Sequence, residues 1–175
     1  ETMMPLVSRC FEEKKPLGQA MHRKAMALFR EYLIVGGMPQ AVEEYSKTRN
    51  FEKVDAIKRD ILTLYRADIV KYSKGYERKV EGIFDEIPAQ LQKHEKRFNL
   101  ASISKQARYR DYEDALFWLS DAMIVNICYN STAPNVGLKL NMDRMTLKCY
   151  MADTGLLVSH AFDENGIVSD GIYKK

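Results

Sequence analysis

Between Leu17 and Ile87 the apolar residues recur at helical spacing, which excludes any fold that begins with strands. Leu17, Met21, Ala25, Leu28, Phe29 and Tyr32 form one stripe. Phe51, Val54, Ile57, Ile61, Tyr65, Ile69 and Tyr72 form a second, about six turns long. Tyr76, Val80, Ile83, Phe84 and Ile87 form a third. Gly36-Gly37 stops the first helix, and at least one of the pair is expected at positive φ, because two helices must meet across a very short joint. Pro39 then opens a short helix over 39–48, its missing N–H falling in the first turn, where no partner within the helix exists. Ser73-Lys74-Gly75 ends the long helix, and Pro88 predicts a kink or a fresh helical turn through Leu91. Lys53, Lys58, Arg59, Asp60 and Arg66 lie off the long stripe and read as a solvated face.

The pattern changes near Phe98. Phe98 to Ile103 is short and could be extended; Asp111 is a plausible N-cap for a helix carrying Tyr112, Ala115, Leu116 and Leu119 on one face. Met123 to Tyr129 is rich in β-formers, 130–135 is a loop by composition, and Met145, Leu147, Cys149 and Met151 alternate with Thr146, Lys148 and Tyr150 at the strand period. Asp153 can cap a last short helix through Phe162. The fold expected is mostly α. A helical segment (1–75) is followed by a winged-helix-like unit (76–162) with a small antiparallel β-hairpin, then by a tail (163–175). In a winged helix the helix before the hairpin can lie in a DNA groove.

Composition bounds the function. The chain has 175 residues, 46% of them hydrophobic, which is the share of a globular protein. No apolar run approaches the ~20 residues of a membrane helix, so no membrane partner is expected. Cys10, Cys128 and Cys149 are odd in number and far apart, which points to free thiols in a reducing compartment and hence to the cytoplasm. A net charge of +3 does not by itself imply nucleic acid. Its local distribution is more informative: Lys93, Lys96, Arg97, Lys105, Arg108 and Arg110 are opposed only by Glu95, with Tyr109 and Tyr112 interleaved. The candidate phosphate contacts are Lys96, Arg97, Lys105, Arg108 and Arg110, joined by Lys139, Arg144 and Lys148 of the hairpin. Asp111, Glu113, Asp114 and Asp121 follow at once and would repel phosphate along the helix, which argues against reading of bases. The competing reading makes these cations ordinary surface residues, or a dock for an acidic protein face.

Familiar catalytic patterns are missing. There is no G-x-x-x-x-G-K-[ST] loop: Gly36-Gly37 is followed by Met38-Pro39, with no lysine and one backbone donor removed. His22, His94 and His160 stand alone without metal-ligand spacing, and no G-x-S-x-G occurs. No residue is assigned a catalytic or metal-binding role, and Gly36, Gly37 and Pro39 are assigned to a structural turn.

Five ordered segments carry a resemblance. Tyr32-Leu33-Ile34-Val35-Gly36-Gly37-Met38-Pro39 with Val42, Asp68-Ile69-Val70-Lys71-Tyr72, and Ile87-Pro88-Ala89-Gln90-Leu91 are three of them. Ala107-Arg108-Tyr109-Arg110-Asp111-Tyr112 running on to Trp118-Leu119, and Leu147-Lys148-Cys149-Tyr150 running on to Asp153-Thr154-Gly155-Leu156-Leu157, complete the set. Together they resemble the AAA+-type ATPases that carry a C-terminal domain of unknown function; Leu147 stands where that pattern often has Phe. The resemblance implies a nucleotide-binding core, with its ATP and magnesium, before Glu1. It also implies a PD-(D/E)XK-like part after Lys175, since Asp163, Glu164, Asp170 and Lys174 do not reproduce that signature. Those two parts would be this segment's partners, and DNA a further one. The chain then reads as a non-catalytic regulatory or binding segment, the alternative being a protein-interaction or oligomerisation module without nucleic-acid affinity. Calorimetric titration of this chain with ATP and magnesium should give no binding, since no lysine-bearing phosphate loop is assembled. Micromolar affinity would contradict the assignment.

Overall fold

A computed structural model describes residues 3–133 and 135–162. Five helices come first: α1 (Met3–Glu12), α2 (Gln19–Val35), α3 (Pro39–Thr48), α4 (Phe51–Tyr72) and α5 (Glu77–Gln92). A single 3₁₀ turn, Leu100–Ser102, precedes α6 (Tyr109–Asp121). Then come β1 (Val125–Ser131), a second 3₁₀ turn (Leu138–Asn141), β2 (Met142–Met151) and α7 (Thr154–Ala161). The expected mostly helical chain with a small antiparallel hairpin is what the structure shows, and residues 18–92 hold no strand. The tail 163–175, with Asp163, Glu164, Asp170 and Lys174, lies outside the described residues.

The core is built from one face each of α5 and α6. Val80, Ile83, Phe84 and Ile87 pack against Ala115, Leu116 and Leu119, and Leu147, Cys149 and Met151 of β2 close the side. Leu62 and Ile69 of α4 and Leu156 of α7 belong to the same cluster, so the apolar interior runs across Gly75. Val35, Ala41 and Val54 make a smaller cluster where α2, α3 and α4 meet. Cys149 is sealed in the large cluster, and burial pushes its thiol up to about 12; Cys128, on the same hairpin, is exposed.

Pro88 sits inside a continuous α5. Proline cannot donate to the carbonyl four residues back, which is that of Phe84. His160 Nε2 donates to that oxygen instead, at 2.9 Å, while its ring stacks on Phe84 with centroids 4.5 Å apart. A side chain of α7 thus fills the gap that the proline leaves in α5. In the segment Phe98 to Ile103, which the sequence left ambiguous, Phe98 donates its N–H to the Leu147 carbonyl at 2.8 Å and lies beside β2, while Leu100–Ser102 forms the 3₁₀ turn.

Several expectations change in detail. Helix α6 starts at Tyr109 with Arg108 as its N-cap, so Asp111 lies in the first turn, where its charge suits the helix dipole. The α2 stripe is not core: Leu28, Phe29 and Tyr32 are 43%, 50% and 52% exposed, and Phe29 stacks on Tyr32. Helix α1 buries nothing among the described residues. Met145 breaks the strand alternation for a register reason. Tyr129 faces Leu147 but Asn130 faces Asp143, so Arg144, Met145 and Thr146 bulge out of the ladder and Met145 is exposed.

These differences can be read out by urea unfolding. Phe84→Ala should cost about 3–5 kcal/mol, whereas Leu28→Ala should stay within about 0.5 kcal/mol. Equal losses would place α2 in the cooperative core.

Candidate functional site

Two arrangements compete for attention: the basic surface that the sequence singles out, and a buried polar clasp that it does not.

All eight candidate phosphate contacts are exposed: Lys96, Arg97, Lys105, Arg108, Arg110, Lys139, Arg144 and Lys148. Arg97 lines a cleft of about 500 Å³ with Lys93, Ala107, Tyr109 and Met145, and Lys105 and Arg108 line a neighbouring depression that shares Ala107. Arg97 on one side and Lys105 with Arg108 on the other thus line two depressions that share Ala107, just before α6. Two acids share them, Glu95 in the cleft and Asp111 in the depression. Arg97 also lies close enough to lower the Asp143 carboxyl, although the Thr146 hydroxyl and the Met145 amide are larger causes of that shift. Arg144 reaches α6 through an exposed pair with Glu113 at 3.3 Å. Arg110 lies 3.6 Å from Asp111, also exposed, and Lys96 donates to the Leu91 carbonyl at 2.6 Å. Exposed pairs of this kind contribute little and would yield to a polyanion. Lys148 stands across from Cys128 on the outer side of the hairpin, and Lys139 lies in the 3₁₀ turn of the β1–β2 loop, so the structure does not gather those two with the others. Beneath the cleft, the Tyr109 and Tyr129 hydroxyls meet at 3.5 Å, and burial and that contact raise the Tyr109 phenol.

The clasp begins at Asp153. This residue caps α7, accepting the Leu156 N–H on Oδ1 at 2.8 Å, and its Oδ2 accepts the Gly37 N–H at 2.6 Å. One carboxylate thus bridges the start of α7 and the α2–α3 joint, more than a hundred residues apart. Gly36 has the expected positive φ, 80°, and a Cβ there would overlap the Asp153 carboxylate. Gly155 is needed for closeness rather than for its dihedrals, since a Cβ on it would overlap the Val35 carbonyl and the Gly36 nitrogen.

Lys58 corrects the reading of α4. Expected on a solvated face, it is 1% exposed, and its ammonium donates to the carbonyls of Ile34 (2.8 Å) and Gly155 (3.3 Å). It thereby caps the C-terminal end of α2, where a cation suits the dipole. Burial pulls its pKa below the ordinary lysine range, opposed by Asp55 and Asp153. Asp55, also buried, accepts from Ser159 Oγ at 2.5 Å and from Arg59 Nε at 2.8 Å. Arg59 extends to the Phe162 carbonyl at 3.3 Å. Two acids and two bases are thus interleaved between α4, α7 and the end of α2, with hydrogen bonds to each. A signal for Lys58 was present in the sequence: Val54, Lys58 and Leu62 stand four residues apart on one helix face.

This arrangement holds elements together and offers no reacting group to solvent. Among the described residues no group of three or more His, Cys, Asp or Glu side chains is placed to hold a metal. The fold and the clasp define a helical scaffold that carries an exposed basic hairpin unit. A family model described as "Domain of unknown function (DUF8612)" matches residues 26–165, and the chain belongs to that family. No curated protein and no solved structure matches it.

Gly36→Ala should destabilise the chain by more than about 1 kcal/mol, combining left-handed strain with displacement of Asp153. Gly37→Ala, whose Cβ would meet Asp153 Oδ2 at an ordinary 3.5 Å, should cost clearly less. Chemical denaturation of the two variants gives the ranking, and a reversed order would remove the role given to the clasp.

Proposed function

We propose that this chain is a non-catalytic regulatory and binding segment of an AAA+-type ATPase, working in the cytoplasm. In this reading the nucleotide-binding core, with its ATP and magnesium, lies elsewhere in the parent protein. The segment relays motion from that core to a partner. Its α5–α6–hairpin unit acts as a winged helix that binds DNA weakly and without sequence preference.

The observation that carries the DNA reading is the exposure of Arg97, Lys105 and Arg108 on two depressions that share Ala107 beside the start of α6. The exposed acids Asp111, Glu113, Asp114 and Asp121 on α6 oppose close approach to bases, so affinity would come from phosphates alone. The order of helix, the Phe98–Leu147 contact, helix and hairpin supports the winged-helix comparison. The clasp supports the relay, because it ties the α2–α3 joint, part of the motif set that carries the ATPase resemblance, to the helix that follows the hairpin. One observation favours a second reading, a protein-interaction or oligomerisation module: the apolar face of α2 stands exposed at Leu28, Phe29 and Tyr32.

Fluorescence anisotropy with labelled duplex across a salt series separates the two. The DNA reading expects Kd in the ~10⁻⁴–10⁻⁶ M range near physiological salt, weakening steeply as salt rises, with no preference among sequences. Arg108→Glu combined with Arg110→Glu should lower affinity by about tenfold or more while leaving the fold intact, as both side chains are exposed. Absence of binding at low salt, or nanomolar sequence-specific binding, would contradict the reading.

A further inference from the structure

The loop between β1 and β2 is closed at its base, where Thr132 donates both its N–H (2.9 Å) and its hydroxyl (3.2 Å) to the Asn141 carbonyl. Its far end is turned by the Leu140 N–H bonding the Gly137 carbonyl at 2.8 Å. This ordered turn buries none of its side chains. Val136 is fully exposed, and Leu138 and Leu140 are 59% and 88% exposed. A solvated hairpin loop is ordinarily polar, with Gly, Asn, Asp or Ser; three branched aliphatic groups held out in water are unfavourable unless something covers them.

The charge around the tip indicates what that is. From Thr132 to Met142 the sequence contains no acid and one cation, Lys139. Arg144 follows in the bulge, and Asp143 between them turns back onto the Met145 N–H at 2.9 Å. The tip carries Lys139 and no acid, and Arg144 stands just beyond the loop's closed base, a combination that fits a polyanion with an apolar stacked interior. We infer that the tip is a wedge for duplex DNA: Leu138 and Leu140 enter the minor groove and part a base step, while Lys139 and Arg144 meet the flanking phosphates. The inference rests on the DNA reading above. Arg144 is available because its pair with Glu113 is exposed on both sides.

The wedge has a consequence that phosphate binding alone lacks. On paired DNA the gain from covering the leucines is offset by unstacking the step they enter. Where a mismatch has already unstacked the step, the gain remains. The test compares a labelled paired duplex with the same duplex carrying a central mismatch, using the whole chain and its Leu138→Ser, Leu140→Ser double variant. The expected result is about tenfold tighter binding to the mismatched duplex. The double variant should abolish that preference and leave paired-duplex affinity within about twofold. A 2-aminopurine placed beside the step should brighten when the unaltered chain binds, which reads the wedge without any variant. Equal affinities, a preference that survives in the double variant, or no 2-aminopurine response would overturn the wedge while leaving weak salt-dependent binding in place. No binding to either duplex at low salt would overturn the DNA reading and the wedge together. A chain that sediments as a dimer, and as a monomer once the two leucines are changed, would identify the tip as a contact between copies and also overturn the wedge.

Discussion

The Asp153 carboxylate is the contact on which the arrangement of the helices depends. One oxygen accepts the Leu156 N–H in the first turn of α7 and the other accepts the Gly37 N–H, so the helix after the hairpin cannot dock without the α2–α3 joint docking too. The approach is close enough that two side chains must be missing. Gly36 leaves room for the carboxylate, and Gly155 leaves room for the Val35 carbonyl. Lys58 then supplies the cation, donating to a carbonyl on each side of the seam, at Ile34 and at Gly155. Buried charges of this kind are costly when one partner is lost and close to neutral when all are satisfied. The clasp is thus better suited to fixing one geometry than to adding much stability. A rigid seam transmits displacement from one end to the other, which is the property the proposed relay requires.

The surface has the opposite character. Its cations are exposed and paired only loosely with exposed acids, so each can be recruited by a polyanion at small cost. The acids of α6 limit what such binding could achieve. A helix that carries Asp111, Glu113, Asp114 and Asp121 on exposed positions is repelled by the groove it would need to enter for reading bases. The hairpin, whose tip has no acid, is not limited in that way. Under the proposed DNA reading a division of labour follows, in which the start of α6 would hold phosphates and the hairpin would make the closer approach. The bare apolar face of α2 gives the interaction-module reading its footing.

Local rules in the sequence settled much of this. Helical periodicity identified α2, α4 and α5, because a face buried against anything must repeat at the helix period, and Pro39 after the glycine pair identified α3 between them. Gly36-Gly37-Met38-Pro39 identified the α2–α3 joint and its positive φ, since few other residue types tolerate that geometry. Asp153 as a cap and the pairing of two strands into a hairpin were also readable, as both depend on neighbours in the chain. Exposure of the candidate cations followed from their type.

What only the tertiary structure decided is where sequence-distant groups meet. Periodicity says that a face is apolar but not whether another element covers it; hence the stripe through Leu28, Phe29 and Tyr32 is legible in the sequence while its exposure is not. Residue type says that a lysine prefers water, so Lys58 read as surface until carbonyls from α2 and α7 were found around its ammonium. Alternation along β2 failed at Met145 because the bulge depends on the register with β1, which neither strand encodes alone. Asp153 could be recognised as a cap from its own helix, but its second oxygen serves a glycine more than a hundred residues away, and no local rule reaches that far. The sequence by itself determined the elements, because hydrogen bonding and side-chain period are local; the fold decided the clasp, because a buried charge is tolerated only where its partners converge from several parts of the chain.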